Sequence, residues 1–338
     1  MLVTGGTGFV ASHCILRLLQ HGYRARATVR SIDSAPKVFE MIKEGGFDAT
    51  PEDLEFVETD LTNDRNWSDA AAGCEYVLHV ASPIFVGVPK HEDDMIVPAV
   101  EGTLRVLKAA RDAGVRRTVI TSSFAAVGYS HTDPNTLITE EEWTDPNDKT
   151  ISPYIRSKTL AERAAWDFVE REGGQHELTV VNPVGIFGPA LGPDLSSGFE
   201  VLKRMLKGAM KAMPNFDLAI VDVRDLADLH LMAMTHPKAK GERFLALSGG
   251  VMSIPQIASF IRSTFGERAK KVPRIVLPDW GVRLVARFNE SAKAAVPLLG
   301  RIRNASNEKA KRMLDWNPRS NEEAITASVE SLFRYGNI

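Results

Sequence analysis

The chain is short of several things at once. Among its 338 residues are two cysteines, Cys14 and Cys74, too few for a disulfide framework, so a reduced, cytoplasmic setting is expected. No apolar run approaches the ~20 residues of a membrane-spanning helix. The opening residues MLVTGGTGF have no basic stretch followed by an apolar one, so a signal peptide is not expected. Neither sign of charge is in excess: 41 Lys and Arg stand against 43 Asp and Glu, spread along the chain. That argues against a nucleic-acid stripe or a basic membrane face. His13 lies beside Cys14, but no second Cys/His pair has metal-ligand spacing, so no metal site is expected. Repeats and low-complexity tracts are lacking too. What is present is an ordinary globular composition, 44% apolar and 25% charged. Its length suits one large domain or a domain with a smaller partner.

Short β-branched runs alternate with amphipathic stretches through the first two-thirds. LVT (2–4), YRARATVR (23–30), LEFVETD (54–60), YVLHVA (76–81), RTVITSS (117–123) and LTVVNP (178–183) read as strands. GFVASHCILRLLQHG, a short piece near Trp67, IVPAVEGTLRVLKAARDAG and SPYIRSKTLAERAAWDFVEREGG read as helices, with Gly22, Gly114 and Gly173–Gly174 as stops. Strands alternating with helices imply crossover units and a parallel sheet covered on both faces. Only Leu2, Val3 and Thr4 precede Gly5, which implies a short first strand or a chain that begins upstream. After Pro183 the rhythm loosens in PVGIFGPALGP, as if a second lobe begins.

Gly5, Gly8 and Ala11 in VTGGTGFVA have G-x-x-G-x-x-A spacing between the first strand and the first helix. Gly5 permits a tight turn, Gly8 lets the backbone approach a pyrophosphate, and Ala11 keeps helix and strand close. The helix N-terminus offers free N–H groups and a partial positive charge. With Thr4, Thr7, Phe9 and Val10 the loop is the expected dinucleotide cradle, in a doubly wound α/β fold of Rossmann type. The expected division is a dinucleotide domain over 1–183, to which about 217–250 returns, and a smaller C-terminal substrate-binding lobe from 184–216 and 251–338. The second strand ends ATVRS. An acid there would suit a free ribose 2′-hydroxyl; Arg30 stands instead, with Lys37 in reach of the same loop. A guanidinium suits a 2′-phosphate, so NADP(H) is expected. In the competing reading Asp33 takes the ribose and Arg30 is a surface cation.

Tyr154 and Lys158 lie four apart at the start of a helix, which by itself describes a solvated helix face as well as a reactive pair. Taken in order, however, TGGTGFVASH, TDLT (59–62), VLHVASP (77–83), ITSSFAAV (120–127), YIRSK, SKTLAERAAWDF, VVNPVGIFGP and LDWNPR resemble the extended short-chain dehydrogenase/reductase superfamily over nearly the whole chain. They are most similar to its branch of dihydroflavonol reductases, cinnamoyl-CoA reductases and microbial aldehyde or ketone reductases. The resemblance implies NADPH-dependent reduction of a small carbonyl compound, with Tyr154 as general acid, Lys158 holding the nicotinamide ribose, and Ser123 (or its neighbour Ser122) on the substrate carbonyl. A free tyrosine has a pKa of about 10, and a neighbouring ammonium is expected to draw it down. The resemblance also implies cofactor contacts from Asp60 and Leu61 beside the adenine, from Val80, Ala81, Ser82 and Thr121, and from Pro183 and Val184 near the nicotinamide. His79, inside an apolar strand run, reads as a core histidine. The asparagine that many relatives carry on the central helix is not carried over, since Glu101 stands near its position.

DPNDKTISP replaces the aromatic-cysteine signature of cinnamoyl-CoA reductases, and Gly128 replaces an asparagine of dihydroflavonol reductases. A CoA thioester and a flavonoid are therefore disfavoured, leaving an apolar pocket walled by Phe85, Phe124, Tyr129, Ile186 and Phe187. On the Tyr154 helix, Leu160, Ala164 and Phe168, with Ala161 and Ala165, are expected to pack, and Arg156, Arg163 and Glu170 to be solvated. In many relatives this helix forms a four-helix seam, which implies a homodimer. Two rivals remain. A nucleotide-sugar epimerase or dehydratase would favour an acid where Arg30 stands. A catalytically silent dinucleotide sensor would lack Tyr154 or Lys158.

Overall fold

Seven short runs rich in Val, Ile, Leu and Ala pair into one parallel sheet, and such runs need both faces covered. In the computed structural model, which describes residues 1–83, 91–131, 133, 135–193, 198–301, 303–336 and 338, the strands are β1 (Leu2–Val3), β2 (Ala25–Val29), β3 (Leu54–Glu58), β4 (Tyr76–His79), β5 (Arg117–Thr121), β6 (Glu177–Pro183) and β7 (Arg243–Ala246). They lie in the order β7-β6-β5-β4-β1-β2-β3, all described pairs parallel. The order reverses between β1 and β4. Connections leave in opposite directions there, and a crevice opens at the carboxyl ends. β1 is two residues long, with Val3 opposite Ala27 on one side and Leu78 on the other.

The main helices are α1 (Phe9–Gln20), α2 (Ala35–Glu44), α3 (Asp93–Asp112), α4 (Pro153–Glu172) and α5 (Val223–Thr235). Successive strand residues point to opposite faces. Val3, Leu78, Val119 and Val181 join a core with α1 and α5. Their neighbours Leu2 and Val77 pack with Val106 and Ala110 of α3, and Ile120 and Val180 with Leu107 and Phe168 of α3 and α4. α3 begins at Asp93, ahead of its apolar run, because Asp93 and Asp94 suit the positive end of a helix.

Past Pro183 the chain forms a second layer. The strand Gly185–Phe187 pairs parallel with Asp217–Asp222, which pairs antiparallel with Val251–Ser253. The helices Phe199–Leu206, Ile254–Phe265 and Asn321–Arg334 enclose a separate core around Phe199, Leu202, Ile220, Ile257 and Leu332. Two of these helices open with reciprocal caps, Ser253 with Gln256 and Ser320 with Glu323. The Phe9 ring of α1 meets Phe199 edge-on, with centroids 5.4 Å apart, and the Gly188 N–H donates to Ser328 Oγ at 2.7 Å. No helix among the described residues is long and apolar enough to cross a membrane.

Arg117, at the start of β5, is 1% exposed. Its guanidinium donates to Glu177 Oε2 (2.9 Å) and to the carbonyls of Ala233 (2.9 Å), Met234 (3.1 Å) and His236 (2.8 Å). Those carbonyls end α5, whose own last turn holds no basic residue. Arg117 supplies the positive charge that helix end favours. Arg117→Met strands these acceptors and is expected to lower stability by about 3 kcal/mol in urea unfolding. A loss below about 1 kcal/mol would mean the buried guanidinium is not the joint between sheet and helix.

Candidate active site

Gly5 has φ +73°, a left-handed conformation, and a Cβ there would stand 3.0 Å from the Cβ of Ala81. The Gly8 N–H donates to the Gly5 carbonyl at 2.8 Å, and a Cβ on Gly8 would lie 3.1 Å from that oxygen. α1 starts just beyond, with no side chain capping its first N–H groups and no acid in its first turn. Free donors and a positive helix end beside a tight glycine turn fit a pyrophosphate. Phe9 brings the first helical N–H, while its ring packs on His13 and Phe199; Thr7 and Val10 are half-buried. Thr4 precedes the glycine turn. It is fully buried, and its hydroxyl meets His79 Nδ1 (2.9 Å) and accepts the N–H groups of Val80 (3.1 Å) and Ala81 (3.0 Å). It joins β1 to β4 instead of facing the crevice.

Arg30 follows β2 directly and is exposed. Asp60 accepts the N–H and hydroxyl of Thr62, both at 2.8 Å, which hold its carboxyl below the usual range, with Arg30 adding to the effect. Lys37 is half-buried in the first turn of α2, and Asp33 is exposed in the 3-10 turn Ile32–Ser34. The Leu61 side chain packs into the core with Trp67 and Val106, so it supports the Asp60 loop from beneath. Val80, Ala81 and Ser82 line the crevice, half-buried.

At the other end, α4 begins with Ser152 as cap, its Oγ accepting the Ile155 N–H, and Pro153 in the first turn. Tyr154 and Lys158 follow one turn apart. Lys158 Nζ donates to Ser82 Oγ at 2.9 Å; burial lowers its pKa to about 8, and Glu162 pulls it back up. Tyr154 exposes 49% of its surface. Burial raises its pKa, and a hydrogen bond with Ser123 opposes the rise. The expected lowering by Lys158 is not found, because the ammonium is directed at Ser82. Ser122 and Ser123 diverge. Ser122 is 7% exposed and donates to Glu162 Oε2, whereas Ser123 accepts the Ala125 N–H at 3.1 Å and reaches Tyr154.

Of the expected pocket walls, Phe85 lies outside the described residues. Phe187 is 3% exposed and belongs to the core of the second layer, because β-strand alternation turns it inward. Phe124 is also buried, among Val127, Ile138, Leu245 and Leu247. Its ring would lie 2.3 Å from a Cβ on Gly128, so glycine is needed there for close approach. Ile186 is half-buried. Tyr129 is half-buried too, 6.0 Å from the Phe124 ring and beneath the Arg303 guanidinium at 4.2 Å. Pro183 is buried in register with Ala246, and Val184 is half-buried beside it. Thr121 Oγ1 meets His230 Nε2 at 2.7 Å.

On α4 the fully buried stripe runs through Ser157, Ala161, Glu162, Ala165 and Phe168, while Leu160 and Ala164 are half-buried. Arg156 is not solvated as expected: its side chain is 16% exposed, pairing with Glu92 and donating to the carbonyls of Pro146 (2.7 Å) and Asp148 (3.1 Å). Arg163 is half-buried over the Trp143 ring, and Glu170 is exposed.

Residues 1–246 match the sequence profile of the NAD dependent epimerase/dehydratase family. The chain belongs to that family. Over 337 residues it is 32% identical to a cinnamoyl-CoA reductase of Medicago truncatula, covering 98% of this chain and 94% of the relative. It is 34% identical over 297 residues to an anthocyanidin reductase of Vitis vinifera, covering 82% and 83%. Yeast methylglyoxal/isovaleraldehyde reductase complexed with NADPH has a similar structure, with a TM-score of 0.82 at 26% identity, covering 100% of this chain and 99% of that one. These likenesses place this family member on the reductase branch of the extended short-chain dehydrogenases/reductases.

The sequence reading missed a buried polar network below the serines. Glu162 Oε1 accepts from Arg243 Nε at 2.7 Å, and Oε2 from Ser122 and from Asn182 Nδ2, the latter at 2.6 Å. Asn182 Nδ2 also donates to the Ser123 carbonyl at 3.2 Å. Arg243 donates to the carbonyls of Glu140 (2.8 Å) and Glu142 (2.9 Å) and stacks on Trp143 at 3.8 Å. The available signal was an arginine opening the apolar run RFLAL and a glutamate one turn past Lys158.

Three buried histidines brace the crevice. Burial drives His79 down to about 3, and His13 and His230 to about 4. Each stays neutral in the folded protein but takes a proton in the unfolded chain below its ordinary pKa of about 6.5. The stability they contribute is therefore complete above about pH 6.5 and is lost as pH falls toward the folded values. Denaturant unfolding at pH 7 and pH 5 should show a loss of roughly 2 kcal/mol per histidine. An unchanged midpoint would contradict their neutral burial.

Proposed function

We propose that this chain reduces an aldehyde or ketone to the alcohol with NADPH, and that Ser123, Tyr154 and Lys158 carry the chemistry. The observation behind the reading is the gathering of those three side chains at the carboxyl edge of the sheet, beside an uncapped helix end and a glycine turn. Bound NADPH supplies the hydride. Gly5, Gly8 and the first N–H groups of α1 receive the pyrophosphate, Arg30 and Lys37 the 2′-phosphate, and Lys158 the nicotinamide ribose. Ser123 donates to the substrate carbonyl oxygen, and Tyr154 protonates that oxygen as negative charge develops on it. The raised pKa of Tyr154 keeps the phenol protonated, which suits an acid in the reducing direction. The reductase names among the relatives and the NADPH of the yeast structure support the same reading.

In this reading 184–216 and 251–338 form the substrate lobe, with Tyr129 as the wall nearest the chemistry. Pairing of two copies through a seam that includes α4 belongs to it as well; sedimentation as a monomer at micromolar concentration would remove that part alone. Arg30 at the end of β2 disfavours the nucleotide-sugar alternative.

Tyr154→Phe is expected to keep NADPH binding and lower kcat by about 10²-fold or more. A Phe variant with most of its turnover would sink the assignment. Arg30→Ala should raise the KM for NADPH about 10- to 100-fold and leave that for NADH nearly unchanged. Equal weakening of both cofactors in kcat/KM measurements would exclude Arg30 as the phosphate ligand and turn attention to Asp33.

A further inference from the structure

We infer that Glu162 is a positioning residue of this site: its carboxylate clamps the strand end that carries Ser123 and is the counter-charge of Lys158. The inference rests on the roles given above to Ser123 and Lys158 and extends them to a residue that touches neither substrate nor cofactor.

Glu162 is 2% exposed in the middle of a helix that packs on the sheet. An isolated carboxylate there would cost several kcal/mol, so its partners define its place. Four segments meet on it: α4 itself, the chain just past β5 through Ser122, β6 through Asn182 and β7 through Arg243. Asn182 uses the same nitrogen to hold the Ser123 carbonyl. The backbone on either side of the Ser122–Ser123 bond is thus tied to one carboxylate, which sets where the Ser123 hydroxyl points.

Glu162 also follows Lys158 by four residues, the spacing that puts two side chains on one helix face, and both line the same pocket. The other groups on that pocket that titrate or hydrogen-bond are uncharged: His79 from β4, Ser82 beyond it, Thr103 from α3, Thr121 from β5 and Ser122 beyond it. His230, which meets Thr121 from α5, is neutral as well. Tyr154 on the preceding turn is a neutral phenol. Among the described residues Glu162 is therefore the one anion lining this pocket, and Arg243 faces it from the opposite side. Burial already draws the Lys158 ammonium toward neutrality, and Glu162 opposes that pull.

Removing Glu162 alone would strand Arg243, so the charge is tested in Glu162→Gln/Arg243→Met, with Arg243→Met as control. Gln keeps an acceptor for Ser122. Ser122→Ala tests the clamp with both charges in place. The first readout needs no turnover: the rate at which a small amine-reactive acylating reagent labels Lys158 against pH, followed by mass spectrometry on the full chain. In the double variant the Lys158 titration should move down by roughly one unit. In Arg243→Met and Ser122→Ala it should not move down. The second readout is the kcat/KM split with NADPH and an aldehyde. Ser122→Ala should lower kcat about tenfold with little change in the NADPH KM, because it loosens Ser123 and not the cofactor. An unshifted Lys158 titration in the folded double variant, or wild-type kcat in Ser122→Ala, would reduce the network to a structural joint. A wild-type protein inactive toward every aldehyde and ketone would instead refute the reductase reading, and the labelling would still decide the pairing of Glu162 with Lys158.

Discussion

The structure depends on holding a two-residue strand in the interior of a seven-stranded sheet. β1 is too short to be fixed by its own ladder, yet the crevice opens where it neighbours β4. The Thr4 hydroxyl completes the joint. It continues the β1–β4 pairing past Val3 by accepting from Val80 and Ala81 and by meeting His79. That brings Ala81 against Gly5 and leaves room there for hydrogen only. The glycine turn, the direction of α1 and the open helix end follow from the same contact.

The second theme is compensated charge. Arg117 ties β5 and β6 to the end of α5, and the Arg243–Glu162 pair ties β7, β6, β5 and α4. Buried ion pairs of this kind are seldom strongly stabilising compared with apolar packing, but breaking them is costly, so they specify which elements meet. The histidines take the opposite course and are kept neutral by burial. Between these extremes lies Lys158, whose pKa of about 8 reflects both burial and an anion on its own helix. A crevice built this way presents its cationic groups, Arg30 and Lys158, at separate ends, with the uncapped α1 terminus between glycine turn and helix.

A side chain's neighbours across the sheet are not in its local pattern. Thr4 and Leu61 adjoin the crevice in sequence, but their side chains turn into the core. Phe187 and Phe124 suit an apolar wall as well as a core, and packing placed them in cores. Arg156 looked like a surface cation until Pro146, Asp148 and Glu92 closed over it. Ser122 and Ser123 are alike in sequence, and the carboxylate of Glu162, 40 residues on from Ser122, separates them.

Features that depend on short range could be read from the residues alone. Glycine spacing settled the turn before α1, alternation of β-branched runs and amphipathic stretches settled the doubly wound sheet, and the placing of Tyr154 and Lys158 on one helical turn followed from their spacing. Tertiary structure alone decided what depends on distance in space. It directed Lys158 at Ser82 instead of Tyr154, raised the tyrosine's pKa instead of lowering it, and joined Glu162 to Arg243 across 81 residues. Desolvation and charge pairing are summed over everything within a few ångströms, and most of those neighbours come from distant parts of the chain.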